Sequence, residues 1–558
     1  MAADLVIKGG RVLDGSGAPA VDADVAVTDG VITDVGPGLD TGGPGTRTLD
    51  ASGHVVAPGF IDIHTHYDAQ VFWDPALTPS CWHGVTTVVS GNCGFSLAPT
   101  RPEHRDLMVR TLEHVEAMSP EALRAGVRWE FETFAEYLDA VGRQGTALNY
   151  GAFVGHTPVR LYVMGDEGYD REATDAEIDA MARVVVESVE AGAMGFASSS
   201  APTHQGAEGR PVPSRLATID ETATLARAMA STGRGVLQIL PGERVQLDDA
   251  YAIQRTLGGR PMTWTALLTG FGDYHLKAVE KNAAARAAGQ EAYPQMSVRP
   301  LVFQFDMREP FNLDTVPNFA ELHGLGPDVR RERYADASWR AAAQDALDHG
   351  RIRPQWHKYE IAESDARPDL VGRRVGELAD EWGVSPLDVM CDVALADDLR
   401  TRFRGILAND DPDAIADLLT RDELVLGLSD AGAHGAQLCD ACFSTELLGT
   451  FVREREAIPL ETAVWKLTGQ LADAFRIGRR GYLRPGMAAD VCVFDPATVA
   501  PGPIRRVHDL PAGADRLLAD APSGIAHVVV NGTVIRENGS PVDEGVAARP
   551  GALLRSAP

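Results

Sequence analysis

Gly59-Phe60-Ile61-Asp62-Ile63-His64-Thr65-His66 decides how the rest of this sequence is read. Alternate residues of a strand face the same side, so a strand ending in His-x-His can aim both imidazoles at one point. Neutral imidazole is the commonest ligand for zinc-like metals. A bare His-x-His also arises by chance from ordinary surface or core histidines. Here the pair follows Pro58-Gly59 and an apolar run, which favours a metal site at a strand end.

Working outward, further apolar runs follow at Gly84-Val-Thr-Thr-Val-Val-Ser, Leu148-Asn-Tyr-Gly-Ala-Phe-Val, Met194-Gly-Phe-Ala-Ser and Gly235-Val-Leu-Gln-Ile-Leu. Met262-Thr-Trp-Thr-Ala-Leu-Leu, Val298 to Phe305 and Glu423-Leu-Val-Leu-Gly-Leu bring the strand candidates to eight. Between some of them lie amphipathic segments. Asp175 to Gly192 carries Ile178, Met181, Val184, Val185 and Val189 at helical spacing, and Asp220 to Ser231 repeats the pattern. Strand–helix alternation implies parallel strands, and eight of them predict an α/β fold of the (β/α)8 TIM-type barrel, spanning 58–474. The stretch around 306–420 is too long for one helix and predicts an insertion of extra helices or a lid. His357-Lys358 lies in it without a readable role.

Both chain ends have another style. Short runs such as Asp4-Leu-Val-Ile-Lys, Arg11-Val-Leu-Asp and Asp24-Val-Ala-Val are punctuated by glycine turns. At the far end, Asp490-Val-Cys-Val-Phe-Asp and Ala526-His-Val-Val-Val lead to Asn531-Gly532, a tight-hairpin signal. A small β-sandwich domain formed from both chain ends, 1–57 and 475–558, is expected to bracket the barrel.

The 558 residues suit a large barrel plus a smaller domain. With 51 basic against 79 acidic residues, the net charge of −28 repels phosphate backbones and anionic membranes, so no nucleic-acid or membrane partner is expected. No run approaches the ~18–20 apolar residues of a membrane helix, and the amino terminus lacks a signal-peptide pattern. Six cysteines in so long a chain make no disulfide framework. A soluble cytoplasmic protein is expected, either monomeric or a homo-oligomer.

Two more segments carry chemistry. Ser90-Gly-Asn-Cys93-Gly ends the second strand, one strand from the histidine pair, where a thiolate could share the metal. A small buried apolar residue is the plainer reading of a cysteine, but the flanking glycines pin this loop near the mouth. Leu428-Ser-Asp430-Ala-Gly-Ala-His434 ends the eighth strand, which neighbours the first in a closed barrel. Asp430 there could ligate the metal and accept a proton from water, or it could merely form an Asx turn. His434 could contact substrate or serve as a plain hydrogen-bonding group.

Taken together, the chain resembles the D-aminoacylase branch of the amidohydrolase superfamily, the N-acyl-D-amino-acid deacylases. The resemblance runs through Leu5-Val-Ile-Lys-Gly-Gly, Ala57 to Asp68, Gly84 to Gly94, Val154-Gly-His156, Ser429-Asp430 and Gly481 to Asp490. It implies a metal-bearing (β/α)8 barrel, with His64, His66, Cys93 and Asp430 as ligands and Asp430 also as general base and acid. The substrate implied is a small amide, such as an N-acyl-D-amino acid, which could carry a carboxylate.

The departures are local. The deacylases carry one metal-binding histidine at the end of strand five and another at the end of strand six. Here those strands read Val236-Leu-Gln238 and Thr263-Trp-Thr. Strand four leads into Ser198-Ser-Ser-Ala-Pro-Thr-His204, followed by Arg210 and Arg215. His204 could replace a lost ligand or bind substrate, and the two arginines could clamp a carboxylate. His156 could help stabilise an oxyanion. One zinc ion is therefore expected, and a second is not required. Two further readings stay open: a cyclic amidase acting on a lactam, imide or hydantoin-type ring, and a metal-dead barrel serving as a binding or scaffold protein.

Overall fold

Parallel strand pairing dominates the part of the chain that carries the histidine pair. The computed structural model describes residues 3–557 apart from 40–42, 44, 311, 312, 314, 315, 351 and 352. Its strands from the His-x-His onward are β1 (Phe60–Asp62), β2 (Val85–Ser90) and β3 (Asn149–Ala152, continuing at Val154–Gly155). They continue with β4 (Gly195–Ser199), β5 (Val236–Leu240), β6 (Met262–Leu267), β7 (Ala292–Met296) and β8 (Val425–Leu426).

β1, β2 and β3 form one parallel sheet, and the continuation of β3 begins a second that runs β4-β5-β6-β7-β8. An isolated parallel bridge, Thr65 to Ala431, ties the residues after β1 to those after β8. Strands covered on both faces read as continuous apolar runs, which is why Val-Thr-Thr-Val-Val-Ser is buried throughout. The connections are helical where the apolar period is 3.6. Asp175–Ala191 starts with a capping box between Thr174 and Glu177 and ends at Gly192.

The seventh strand corrects the sequence reading. Val298 to Phe305 does not pair in this sheet; Ala292–Met296 does, with β6 on one side and β8 on the other. Pro294 within Ala-Tyr-Pro-Gln-Met removes a ladder donor and disguises the segment. Leu301–Asp306 instead joins an antiparallel three-stranded sheet with Arg402–Ala408 and Tyr359–Glu363. That sheet belongs to a second compact unit, Pro300–Asp410 with Ala436–Leu438, whose core includes Phe303, Phe305, Tyr334, Trp339 and Phe403. Within it Lys358 pairs with Asp410 at 2.5 Å.

The chain ends meet in one nine-stranded sheet. Val55–Pro58 pairs antiparallel with Val491–Phe494, so amino- and carboxy-terminal strands are direct neighbours. Leu5, Ile7, Val25, Val27, Val491, Val493 and Val529 form its core. The Asn531-Gly532 hairpin has φ of 45° and 80° at its two central residues, the left-handed pair that a tight primed turn needs. Asp490 anchors this turn, accepting from the Asn531 N–H at 2.8 Å and from Asn149 Nδ2 at 2.9 Å. No helix among the described residues is long and apolar enough to cross a membrane.

Candidate metal centre

His64 and His66 sit just past β1, held there by backbone contacts on both flanks. Thr65 N–H donates to Val89 O at 3.1 Å and His66 N–H to Ala431 O at 2.7 Å. Asn92 Nδ2 donates to the carbonyls of Ile63 and Val89 at 3.2 and 2.9 Å. Ser429 Oγ donates to Asp62 Oδ2 at 2.6 Å and to His64 O at 2.9 Å. The loops after β1, β2 and β8 are thus stitched together by their own polar groups.

The loops after β2 and β8 are bent by left-handed residues. Gly91, Cys93 and Gly94 have φ of 76°, 55° and 80°, and a side chain at Gly91 would strike Phe153 O. Leu428 and Asp430 have φ of 61° and 46°. Such conformations cost about 1–3 kcal/mol each in non-glycine residues and concentrate at functional sites. Here they turn the Cys93 thiol and the Asp430 carboxylate toward the imidazoles.

The ligand atoms of His64, His66 and Cys93 all lie within 4.8 Å of one another. His64 Nε2 is 3.2 Å from Asp430 Oδ1 and 3.5 Å from Cys93 Sγ, and His66 Nε2 is 3.7 Å from Asp430 Oδ1. The His64 ring is oriented from behind. Its Nδ1–H donates to Gln295 Oε1 at 2.6 Å, which turns Nε2 toward the cluster. Gln295 is itself fixed by donating to Thr263 Oγ1 at 3.0 Å.

Charge at the centre is concentrated on His64 and Asp430. Burial opposes the charged form of His64, but Cys93 and Asp430 outweigh it and hold its pKa well above the ordinary value. Burial likewise opposes ionisation of Asp430, yet hydrogen bonds from His64 and His66 keep it well below the usual carboxylate range. His66 is pushed down to about 4 by burial. Two imidazoles, a thiol and a carboxylate converging in a buried pocket are a donor set that suits zinc. Asp430 and the neighbouring His434 give the group an exposed edge, with side chains 24% and 26% accessible.

Glu116 was not found by reading the sequence. It caps the helix Arg105–Val115 and is 3% exposed, with Oε1 3.4 Å from His66 Nδ1 and Oε2 3.6 Å from His434 Nε2. The His434 N–H donates to its carbonyl at 2.7 Å. Burial, reinforced by Asp430, pushes the Glu116 carboxyl well up. His66 Nδ1 has no hydrogen bond of good geometry, and the Glu116 carboxyl lies beside it. Asp68, also buried, accepts from the Gly91 N–H at 2.9 Å and has its pKa raised by burial to about 7.

The remaining sequence candidates divide. His204 receives or gives a hydrogen bond to Ser199 Oγ at 2.7 Å and packs on Phe95, close enough to His434 and His66 to feel their charge; burial chiefly lowers its pKa to about 3. Arg215 reaches His204 O at 3.3 Å and Glu243 at 2.9 Å. Arg210 stacks over Tyr169 and pairs with Asp170 at 3.4 Å. Both nitrogens of His156 are engaged, Nδ1 by Ser198 Oγ at 2.8 Å and Nε2 by Glu221 Oε1 at 3.0 Å. At the strand-five and strand-six positions, Gln238 accepts from the Cys93 N–H at 2.8 Å and Thr263 donates to Tyr293 O at 2.8 Å.

Known proteins resemble this chain over nearly its whole length. The amidohydrolase family model matches residues 47–536. A D-aminoacylase from Alcaligenes xylosoxydans xylosoxydans is 32% identical over 504 residues, 89% of each chain. Solved D-aminoacylase structures superpose with TM-scores of 0.69 and 0.67 at 28% identity, covering 99% of this chain and 100% of theirs. One of them concerns the functional role of a binuclear metal centre, with one-metal activation and second-metal attenuation. The N-acyl-D-glutamate deacylase from Bordetella bronchiseptica, complexed with zinc and a phosphonate mimic of the tetrahedral intermediate, superposes with a TM-score of 0.67 at 27% identity, covering 100% of both chains.

Proposed function

This chain belongs to the amidohydrolase family, as a divergent member of the D-aminoacylase branch that hydrolyses carbon–nitrogen bonds other than peptide bonds, and we propose that it cleaves a small N-acyl-amino-acid-like amide at a single zinc ion. The parallel strand order and the Thr65–Ala431 bridge support closure of β1 to β8 into a (β/α)8 barrel, with the site at the carboxyl ends of the strands. The nine-stranded sheet supports a small β-domain built from both chain ends.

The observation that carries the proposal is the convergence of His64 Nε2, Cys93 Sγ and Asp430 Oδ1, with the opposite edge of His64 fixed by Gln295. His64, His66, Cys93 and Asp430 would hold the ion. When bound, zinc supplies a Lewis acid that lowers the pKa of water from ~15.7 toward ~7. Asp430, at the accessible edge, takes the proton as water attacks the amide carbonyl and returns it to the departing nitrogen. His204 and His434 orient the substrate from the same side, and Arg215 is the arginine best placed to reach a substrate carboxylate. The only side-chain atoms at these positions able to ligate a cation, Gln238 Oε1 and the Thr263 hydroxyl, are spent on the Cys93 N–H and on Tyr293 O and Gln295, which favours one ion over two.

A panel of linear N-acyl-D- and N-acyl-L-amino acids set against lactams, imides and hydantoins, assayed with the zinc-loaded protein, tests this reading. Turnover of the linear D-compounds is expected. Turnover confined to cyclic amides would reassign the substrate class, and no turnover of either would refute it.

A further inference from the structure

None of the six cysteines is in a disulfide, and burial pushes the thiols of Cys81, Cys93, Cys391 and Cys492 up, away from reactivity. The remaining two are unlike these. Cys439-Asp440-Ala441-Cys442 bends through a turn, in which the Phe443 N–H donates to Asp440 O at 2.9 Å. Both cysteines pack with Leu517 and Ala519 in a small cluster separate from the main core. The Cys442 thiol donates to Cys439 O at 3.6 Å, which sets the two side chains beside each other.

Their surroundings are charged on one side. Arg299, whose side chain is only 13% exposed, is held by Asp440 at 2.8 Å and by Glu446 at 3.1 Å beside the pair. The neighbouring Cys442 thiol, helped by the Ala519 N–H and the Arg299 guanidinium, outweighs burial and holds Cys439 below the ordinary thiol range. Cys442 is pushed well up by the Cys439 sulfur beside it and by burial. Cys439 keeps 7% exposure while Cys442 keeps none, so the more acidic thiol is also the one nearer to solvent. That asymmetry is what distinguishes an attacking thiol from a resolving one.

We propose that Cys439 and Cys442 form an oxidisable dithiol, a modification site on the segment that follows Asp430 and His434, with a hydroperoxide as its oxidant. The Cys439 thiolate attacks the peroxide, an S–O bond forms as the O–O bond breaks, and the departing alkoxide or hydroxide takes a proton from solvent. The Cys442 thiol then attacks the sulfenic sulfur. The S–S bond forms as the S–O bond breaks, and the Cys442 proton leaves with the hydroxide as water. Each sulfur gives up one electron to the peroxide, which is reduced to an alcohol or water.

The test uses the full, metal-loaded chain with hydrogen peroxide, followed by unfolding, alkylation and peptide mapping. Its readout is independent of hydrolytic activity. Loss of two of the six thiols, with Cys439 and Cys442 recovered in one linked peptide, is expected. Cys442→Ser is expected to stop the reaction at a Cys439 sulfenic acid that a dimedone probe labels, and Cys439→Ser to leave Cys442 reduced. Retention of all six thiols in the wild-type protein, or oxidation falling on Cys93 or Cys391 instead, would overturn the proposal whether or not the variants fold.

Discussion

Two buried histidine–carboxylate clusters sit in this molecule and look alike in composition. In one, His156, Glu221 and Arg160 are fully buried, and each ring nitrogen of His156 has a partner. Arg160 grips both carboxylate oxygens of Glu221, at 2.5 and 2.6 Å. In the other, the ligand atoms of His64, His66, Cys93 and Asp430 converge, and one edge is open to solvent. The first cluster closes on itself and holds structure together. The second would be completed by the proposed ion. Burial and residue type therefore do not distinguish a ligand site from a structural pair; the direction in which the donor atoms point does.

Substitutions can break that comparison, and the largest effect is expected on the open cluster. Asp430→Asn keeps the shape and removes the proton acceptor, so kcat should fall by about 10²- to 10⁴-fold while metal remains bound. Near wild-type turnover in a metal-loaded Asp430→Asn protein would remove Asp430 from the acid–base role. On the closed cluster the effect should be on stability alone. Glu221→Gln leaves Arg160 uncompensated in the interior, which costs about 3–5 kcal/mol. Denaturant unfolding should show that loss while metal content per folded chain stays unchanged; a drop in metal content would join the two clusters functionally.

Much of the open cluster was legible because local rules dictate it. Strand alternation places His64 and His66 on one side, and Gly91 and Gly94 bracket the tight turn that presents Cys93. Glu116 was not legible, since a single acidic residue after Val115 carries no periodic signal and acquires meaning only when the helix end meets His66 and His434. β7 was missed for a different reason. Pro294 and Gln295 break the apolar pattern, and Gln295 earns its place by orienting His64 rather than by strand propensity. The role anticipated for His156 came with the matching segment Val154-Gly-His156, and a matching segment does not say that both ring nitrogens are already in use.

Smaller effects sharpen the contrast at the margin of the metal centre. Glu116→Gln keeps the volume and replaces the carboxyl beside His66 Nδ1 with an amide, so zinc affinity measured by chelator competition should weaken by about 10- to 100-fold. An unchanged affinity would make Glu116 a structural residue only. Gln238→Ala leaves the Cys93 N–H without its acceptor and should cost about 1–3 kcal/mol of stability. Arg210→Ala, which removes an exposed pair with Asp170, should change stability by no more than about 1 kcal/mol. A large rise in KM for that variant would instead place Arg210 on the substrate.

The most direct measurement is the zinc content of the reconstituted protein, wild type beside His64→Asn. One equivalent per chain in the wild type and loss of that equivalent in the variant are predicted. Two equivalents in the wild type, none after reconstitution, or an undiminished equivalent in His64→Asn would contradict a single ion held by His64, His66, Cys93 and Asp430.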